Sequence, residues 1–190
     1  EEGVGQRFEG ASWLVPPLAL GRLHQRDPEL ALDLSERYGR CTGEQARRCG
    51  LNWVLGPVCD VNNNSANPVI NVRAWGEDPN SASALAVAFL RGLKQAGVLG
   101  CAKHFPGHGD TISDSHLDLP VLPHSRERLE QTELPPFPAA TAADLSDSVV
   151  SLSRPGRQGR RQPHGRQGRL SHVRAPSRLR VLRRYIRRFS

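Results

Sequence analysis

The hydrophobic and polar positions of residues 1–150 follow two different periods. Between residues 28 and 50, apolar side chains recur every three or four positions, which predicts a helix whose apolar face includes Leu30, Leu34, Tyr38 and Cys41. An alanine-rich stretch over 79–97 and a charged stretch over roughly 125–143 predict two further helices. The first two begin with Pro and are followed by Gly, as expected at helix starts and stops.

A short run of branched apolar residues follows each of these helices. The runs cover 51–61, 97–105 and 147–152, and each predicts a buried strand. Polar loops follow the first two strands, and the repeated order of strand, loop and helix indicates parallel strands. Polar clusters after successive strands are typical of a (β/α) barrel. We therefore expect an α/β fold of the (β/α)-barrel type over residues 1–150. A doubly wound sheet is the alternative, but the chain has no Gly-rich phosphate-binding turn to support it.

The pattern ends near residue 150, where a basic tail begins. Residues 151–190 contain 13 Arg and no Asp, Glu or Lys, so their formal charge is +13. Residues 1–150 carry a formal charge of −6, and the two parts together give the net charge of +7. The high isoelectric point therefore describes the tail and does not make the acidic body a nucleic-acid binder. We expect this low-complexity, Arg-rich C-terminal tail to be disordered.

Two interpretations of the tail remain open. Its end places apolar side chains on one helical face among arginines, and such a helix could bind anionic lipid or nucleic acid; these residues are Leu179, Leu182, Tyr185, Ile186 and Phe189. We favour the other interpretation, an out-of-frame translation of GC-rich DNA. A single intact reading frame across codon 150 would contradict it.

Composition excludes other classes of protein. The four Cys form no CxxC pair and are typical of reduced thiols in a cytosolic protein. Cys41 and Cys49 could be bridged or metal-bound in principle, but eight residues apart on a predicted helix we expect them to be buried or half-buried side chains. No apolar run approaches the roughly 18 residues of a membrane helix. We therefore expect a cytoplasmic protein with no membrane partner and no obligatory nucleic-acid partner. The chain begins with Glu1 and has no Met, which we interpret as a processed chain or a fragment.

The candidate chemistry is concentrated between Lys103 and Pro120. This segment, K-H-F-P-G-H-G-D-T-I-S-D-S-H-L-D-L-P, contains one Lys, three His and three Asp. Unpaired groups of this kind are costly to bury, so they indicate a polar site at a strand end, although His and Asp that merely pair with each other remain an alternative. Metal ligation is a further possibility, since His104, His108, Asp110, Asp114 and His116 all have ligand chemistry. The spacing matches no common zinc pattern, and we expect neither a metal nor a cofactor.

A sugar-binding and proton-transfer site explains this segment best. Lys103 and His104 are donors suited to sugar hydroxyls. Asp114 and His116 form a candidate carboxylate–imidazole dyad, in which the carboxylate fixes the tautomer and raises the basicity of the imidazole. His116 could then exchange a proton near neutral pH.

The residues also carry a resemblance to a known family. K-H-F-P-G-H-G-D-T followed by D-S-H-L-D-L-P resembles the signature of the bacterial β-N-acetylglucosaminidases of glycoside hydrolase family 3. The resemblance extends from E-E-G-V-G-Q-R-F, through N-W-V-L-G-P-V-C-D-V and N-V-R-A-W-G-E-D-P, to about Val150, and it excludes the tail. It implies that residues 1–150 form a partial (β/α)8 TIM-type barrel, truncated at both ends. It also implies that this barrel removes terminal, non-reducing β-linked N-acetylglucosamine, typically from peptidoglycan turnover fragments in the cytoplasm, with retention through a glycosyl-enzyme intermediate.

The same resemblance implies residue roles. His116 would be the general acid/base with Asp114 as its partner, a departure from the usual pair of carboxylates. Lys103, His104, Arg73 and Arg7 would hold the sugar. The family's nucleophile is an Asp at the end of a later strand, and no carboxylate side chain follows Asp147, so we expect no nucleophile in this chain, little turnover and low stability. Phosphorolysis, sugar binding without turnover, and nucleic-acid or membrane binding through the tail are the alternatives.

Overall fold

The computed structural model describes residues 1–111, 124–142, 146–151 and 172–174. Its helices and strands are α1 (Pro17–His24), α2 (Pro28–Arg48), α3 (Pro79–Gln95), β1 (Gly100–Phe105), α4 (Arg126–Arg128), α5 (Pro136–Ala142), β2 (Ser146–Ser151) and β3 (His172–Arg174). Two short 3-10 helices cover Val4–Gln6 and Asn71–Arg73, and a π-helix covers Leu129–Glu133.

The predicted helices over 28–50 and 79–97 are confirmed as α2 and α3. Asp27 and Asp78 cap them, each accepting hydrogen bonds of 2.9–3.0 Å from backbone N–H groups of the first turn. Proline at the first helical position needs no such acceptor. Both helices end before a glycine in the left-handed region, Gly50 at φ 76° and Gly97 at φ 69°.

Helices α2 and α3 approach each other closely. A Cβ at Gly39 would overlap the carbonyl oxygen of Phe89, and one at Gly92 would overlap that of Glu36, so only glycine fits at either position. The buried face of α2 is accordingly built mainly from small residues: Ala31, Ser35, Tyr38, Gly39, Thr42, Gly43 and Ala46. The predicted apolar face is therefore displaced, and Leu30 is exposed.

The sheet contains parallel neighbours in the predicted order. β1 pairs in parallel with β2, and β2 pairs antiparallel with β3. The expected strand over 51–61 is only partly formed: it runs parallel to β1 but is joined to it by two isolated bridges, Trp53 to Leu99 and Val58 to Lys103. Pro57 has no N–H to donate, so a regular ladder is interrupted between these bridges.

The charged stretch after β1 is not the single helix predicted over 125–143. It is divided into α4, the π-helix that follows α4 directly, and α5, and Pro135 and Pro136 mark the boundary between the π-helix and α5. α3 packs against both α2 and α5. Parallel strands linked through these helices give part of a (β/α) barrel, and the described residues do not close it.

Three other expectations have structural outcomes. Within the tail expected to be disordered, His172–Arg174 form β3, where the β-branched Val173 pairs with Val149 at the sheet edge; the predicted helical face over 179–189 lies outside the described residues. All four cysteines are free thiols, but Cys49 is exposed because it follows the last residue of α2. Among the described residues, no helix is long and apolar enough to cross a membrane.

Candidate functional site

Arg73 and Lys103 converge on one carboxylate. Arg73 ends the 3-10 helix that follows an Asn-rich loop (residues 62–67), and Lys103 lies on β1. The Arg73 Nε and Nη2 atoms donate to the two Glu1 oxygens at 3.0 and 2.9 Å, while Lys103 Nζ lies 2.6 Å from Glu1 Oε1. Arg73 Nη1 also donates to the Val69 carbonyl at 3.0 Å, which fixes the plane of the guanidinium. Two cations of different chain segments are therefore held side by side.

Electrostatics maintain the charges of this cluster. Burial raises the pKa of the Glu1 carboxyl, but the hydrogen bond from Arg73 and the positive charge of Lys103 outweigh it and hold that pKa well below its usual range. For Arg73 the signs are reversed. Burial lowers the pKa of Arg73, but the hydrogen bonds to Glu1 and the negative charge of Glu1 outweigh burial, so the pKa of Arg73 is raised. Glu1 and Arg73 therefore both remain ionised at neutral pH. Their contact orients the hydrogen-bond donors of Arg73 and Lys103 that Glu1 does not use.

A second cluster surrounds Asp60, which is fully buried at the end of the extended segment 51–61. Its Oδ2 lies 2.6 Å from His104 Nδ1, and its Oδ1 accepts the His108 N–H at 2.7 Å and the His104 N–H at 3.2 Å. Burial raises the pKa of Asp60, but the His104 imidazole and these hydrogen bonds outweigh it and leave the pKa lowered. Asp60 thus fixes the ring orientation of His104 and the start of the following loop.

Asn67 supports the same loop from the other side. This side chain is 2% exposed. Its Nδ2 group donates to the carbonyls of His108, Gly109 and Thr111 at 2.7–3.1 Å, and its Oδ1 accepts two backbone N–H groups of its own turn. One buried amide therefore connects the Asn-rich loop to the segment after β1.

A cavity of about 410 Å³ opens beside Glu1 and Lys103. Glu1, Lys103 and the exposed Arg7 line it together with a largely apolar wall. That wall includes Trp53, which is 37% exposed, and Leu55, which is 53% exposed. Charged groups on one side and large apolar side chains on the other are typical of a small-molecule site.

The structure brings several predicted residues together. Arg73 and Lys103 both contact Glu1, and His104, the neighbour of Lys103 on β1, contacts Asp60. Arg7 lines the adjoining cavity, and Asp114 and His116 lie outside the described residues. Glu1, Asp60 and Asn67 had no predicted role. The position of Asp60 near the end of an apolar run was a usable signal, because side chains at strand ends form the sites of barrels. The run was predicted to be a buried strand, but only its second half is buried, since Leu51, Trp53 and Leu55 are exposed.

One further group has metal-ligand chemistry. Asp110, His124 and Glu133 place one ligand atom each within 4.8 Å of one another. Asp110 follows the loop that Asn67 supports, whereas His124 and Glu133 belong to the stretch around α4 and the π-helix. This group is separate from the Glu1 and Asp60 clusters.

Comparisons with known proteins identify the family. The profile of the glycosyl hydrolase family 3 N terminal domain matches residues 1–157. A beta-hexosaminidase of Xylella fastidiosa (strain M23) is 40% identical over 151 residues, which cover 79% of this chain and 44% of that protein.

Two solved structures are similar in sequence and fold. A family 3 beta-N-acetylglucosaminidase from Paenibacillus is 41% identical with a TM-score of 0.70, over 78% of this chain and 27% of that one. NagZ from Neisseria gonorrhoeae in complex with N-trifluoroacetyl-D-glucosamine is 33% identical with a TM-score of 0.71, over 78% of this chain and 44% of that one. The chain thus spans less than half the length of these relatives. It belongs to glycosyl hydrolase family 3.

Proposed function

We propose that this chain carries the sugar-binding part of a glycosidase acting on terminal, non-reducing β-linked N-acetylglucosamine. The observation that carries the proposal is the convergence of Arg73 and Lys103 on Glu1 beside the His104–Asp60 pair. The similarity to beta-hexosaminidases, and to a NagZ that binds a glucosamine derivative, supports the sugar class. Peptidoglycan turnover fragments and a cytoplasmic location belong to the same proposal.

The contacts assign a task to each binding residue. Lys103 uses one of its three donors on Glu1 and keeps the others for sugar hydroxyls. Arg73 presents a planar guanidinium that Glu1 and the Val69 carbonyl already orient. Asp60 holds His104 through Nδ1, so Nε2 is the nitrogen assigned to a hydroxyl. Arg7, in the cavity wall, would contact the sugar or its substituent. Charged donors fixed in advance favour tight and oriented binding.

The chemical step is assigned to residues outside the described part of the chain. His116 would act as the general acid/base and Asp114 as its carboxylate partner, in a retaining mechanism. The proposal assigns no nucleophile to this chain, since Asp147 is its last carboxylate side chain. Turnover by the chain alone is therefore expected to be low even where the sugar binds.

Binding can be tested without turnover. Fluorine NMR of N-trifluoroacetyl-D-glucosamine, titrated with the full chain, should show a broadened and shifted resonance. Losing a hydrogen bond from a charged donor costs about 1.5–3 kcal/mol, so Lys103→Ala should weaken binding roughly tenfold or more. The exposed Lys94 on α3 provides the matched control, and Lys94→Ala should bind as the wild type does. An affinity unchanged by Lys103→Ala would contradict the proposed site.

Turnover distinguishes the other functions. Release of 4-nitrophenol from its N-acetyl-β-D-glucosaminide should be slow and should vanish in His116→Ala. A rate that rises with added phosphate would select phosphorolysis, because a His acid/base does not repel phosphate as a carboxylate would. Sugar binding with no release at all would select a binding module. Salt-sensitive nucleic-acid or vesicle binding, lost on deleting residues 151–190, would select a function of the tail.

A further inference from the structure

We propose that Asp110, His124 and Glu133 bind a divalent transition-metal ion of the zinc class, at a site separate from the proposed sugar-binding residues. Their ligand atoms, one imidazole nitrogen and two carboxylate oxygens, lie within 4.8 Å of one another. Asp110 and His124 are partly buried, with side chains 24% and 20% exposed, and Glu133 is 1% exposed. Three ligands of this kind leave a position for water around a zinc ion.

The distance between the side chains of His124 and Asp110 matches that between two ligands of one metal ion. His124 Nε2 lies 3.0 Å from Asp110 Oδ2, yet within the described part of the chain this nitrogen makes no hydrogen bond. Zinc binds imidazole nitrogen and carboxylate oxygen at about 2.0–2.2 Å. Two ligand atoms at that distance on adjacent corners of a coordination shell are separated by roughly 3.0–3.5 Å. The observed separation therefore suits two groups directed at a shared ion.

Glu133 supplies the second, independent observation. Its Oε2 atom is buried and has no hydrogen-bond partner among the described residues. Its Oε1 accepts from Asn63 Nδ2 at 3.1 Å, so the carboxylate orientation is already fixed by a neighbour. A buried carboxylate oxygen without a partner is costly, and coordination to a cation removes that cost.

Arg128 marks the place of the cation. Its Nη2 atom lies 3.1 Å from Glu133 Oε1 and 3.5 Å from Asp110 Oδ2, so a positive charge already bridges two of the three ligands. The Arg128 side chain is 40% exposed and can withdraw into solvent. Two carboxylates and a neutral imidazole would then neutralise a dication. Arg128 is a competitor that a metal ion must displace.

The ligand set selects the class of metal. Imidazole nitrogen suits zinc, cobalt and copper, whereas calcium and magnesium prefer oxygen ligands in larger number or near-octahedral shells. Two carboxylates with one imidazole therefore favour Zn²⁺, for which Co²⁺ is a spectroscopic substitute. The three residues are widely spaced in sequence, and no common zinc motif describes them.

Titration of the chelator-treated full chain with Co²⁺, followed by its visible d–d absorption, tests the proposal, and competition with Zn²⁺ gives the zinc affinity. We expect one ion per chain. His124→Ala should weaken binding by about tenfold or more, since the side chain is a direct ligand and outer-shell changes alone cost 10–100-fold. Arg128→Gln removes the competing cation and should tighten binding by about tenfold, as is typical when two ligands of one site are coupled.

Matched control variants show whether the effects are specific to His124 and Arg128 or common to any histidine and arginine. Arg126→Gln, on the same helix and paired only with Glu130 in the described contacts, should leave the affinity unchanged, as should His24→Ala on α1. Circular dichroism should show that all four variants fold. The absence of a d–d band, equal affinities of wild type and His124→Ala, or weaker binding by Arg128→Gln would each overturn the proposal. A simple ion-pair network with no metal site predicts the absence of a d–d band.

Discussion

Replacing Asp60 by Asn removes a charge from the centre of the candidate site without changing its shape. The buried carboxylate accepts from His104 Nδ1 at 2.6 Å and from the backbone N–H groups of His108 and His104 at 2.7 and 3.2 Å. An amide retains one acceptor oxygen and turns an NH2 group toward one of these donors. At least one donor therefore loses its partner inside the protein.

The expected magnitude follows from these contacts. A hydrogen bond to a charged group contributes about 1.5–3 kcal/mol, and removing one partner of a buried pair costs about 3–5 kcal/mol. We expect Asp60→Asn to lower the free energy of unfolding at pH 7 by about 3–5 kcal/mol on this basis. The exposed Asp33, which lies 3.7 Å from Arg37 on α2, provides the control. Asp33→Asn should cost less than about 1 kcal/mol.

The pH dependence gives a sharper test of the same prediction. The folded pKa of Asp60 is lowered, because the His104 charge and the hydrogen bonds outweigh burial. Its contribution to stability is therefore present above the unfolded pKa, near 4, and is lost as the pH falls through the folded value. The stability difference between wild type and Asp60→Asn should narrow below about pH 4. Glu1 titrates alike in both proteins, so it cancels in this difference.

Urea unfolding followed by tryptophan fluorescence, to which the buried Trp75 contributes, measures these differences. An unfolding free energy of Asp60→Asn within about 1 kcal/mol of the wild type at pH 7 would contradict the prediction, because that is less than one charged hydrogen bond. A difference that stays constant or grows as the pH falls would contradict it as well. Either result would mean that Asp60 is not held as a carboxylate by its neighbours.

Three other substitutions have defined outcomes in the same unfolding assay. Asn67→Asp replaces the amide that donates to three loop carbonyls and should cost about 2–4 kcal/mol, and a cost below 1 kcal/mol would contradict its bridging role. Gly92→Ala forces a methyl group against the carbonyl of Glu36 and should cost about 1–3 kcal/mol, so an unchanged midpoint would show that the helices can separate freely. Tyr38→Phe removes a hydroxyl bonded to carbonyls of the N-terminal segment at 2.8–2.9 Å and should cost about 1 kcal/mol, whereas a gain in stability would refute that contribution.

Helices α2 and α3 were predictable because their ends are encoded locally. Asp27 and Asp78 stand one residue before a proline, and both act as caps. The buried face of α2 was not predictable from periodicity, since Leu30 is 45% exposed while Ser35 is fully buried. The reason is the close approach of α3 at Gly39, which requires small side chains on that face. Apolar spacing reports which residues are hydrophobic, but not how near the next helix lies.

The residues of the candidate site also fall into those that the local sequence predicts and those that only the fold brings together. Lys103 and His104 were predictable because they are neighbours in a dense polar segment at a strand end. Asp60 is 44 positions from His104, and its role depends on a parallel alignment that only the fold creates. The possible metal ligands Asp110 and Glu133 meet through a loop and an irregular helix, for which no spacing rule exists. Residues that touch across elements therefore needed the structure.

The loop that follows β1, the strand that carries Lys103, is fixed from two directions by buried polar groups. The proposed function does not place these groups against the sugar. Asp60 and Asn67 hold its backbone from the preceding strand and loop, and Glu133 lies under Gly107, where a Cβ would meet the Glu133 side chain. Gly107 also has φ 134°, in the region that favours glycine. A sugar bound by Lys103 and His104 would thus depend on the Asn-rich loop and the π-helix as much as on its direct contacts. An ion at Asp110 and Glu133 would act on the same loop, which connects the two proposed sites through shared backbone.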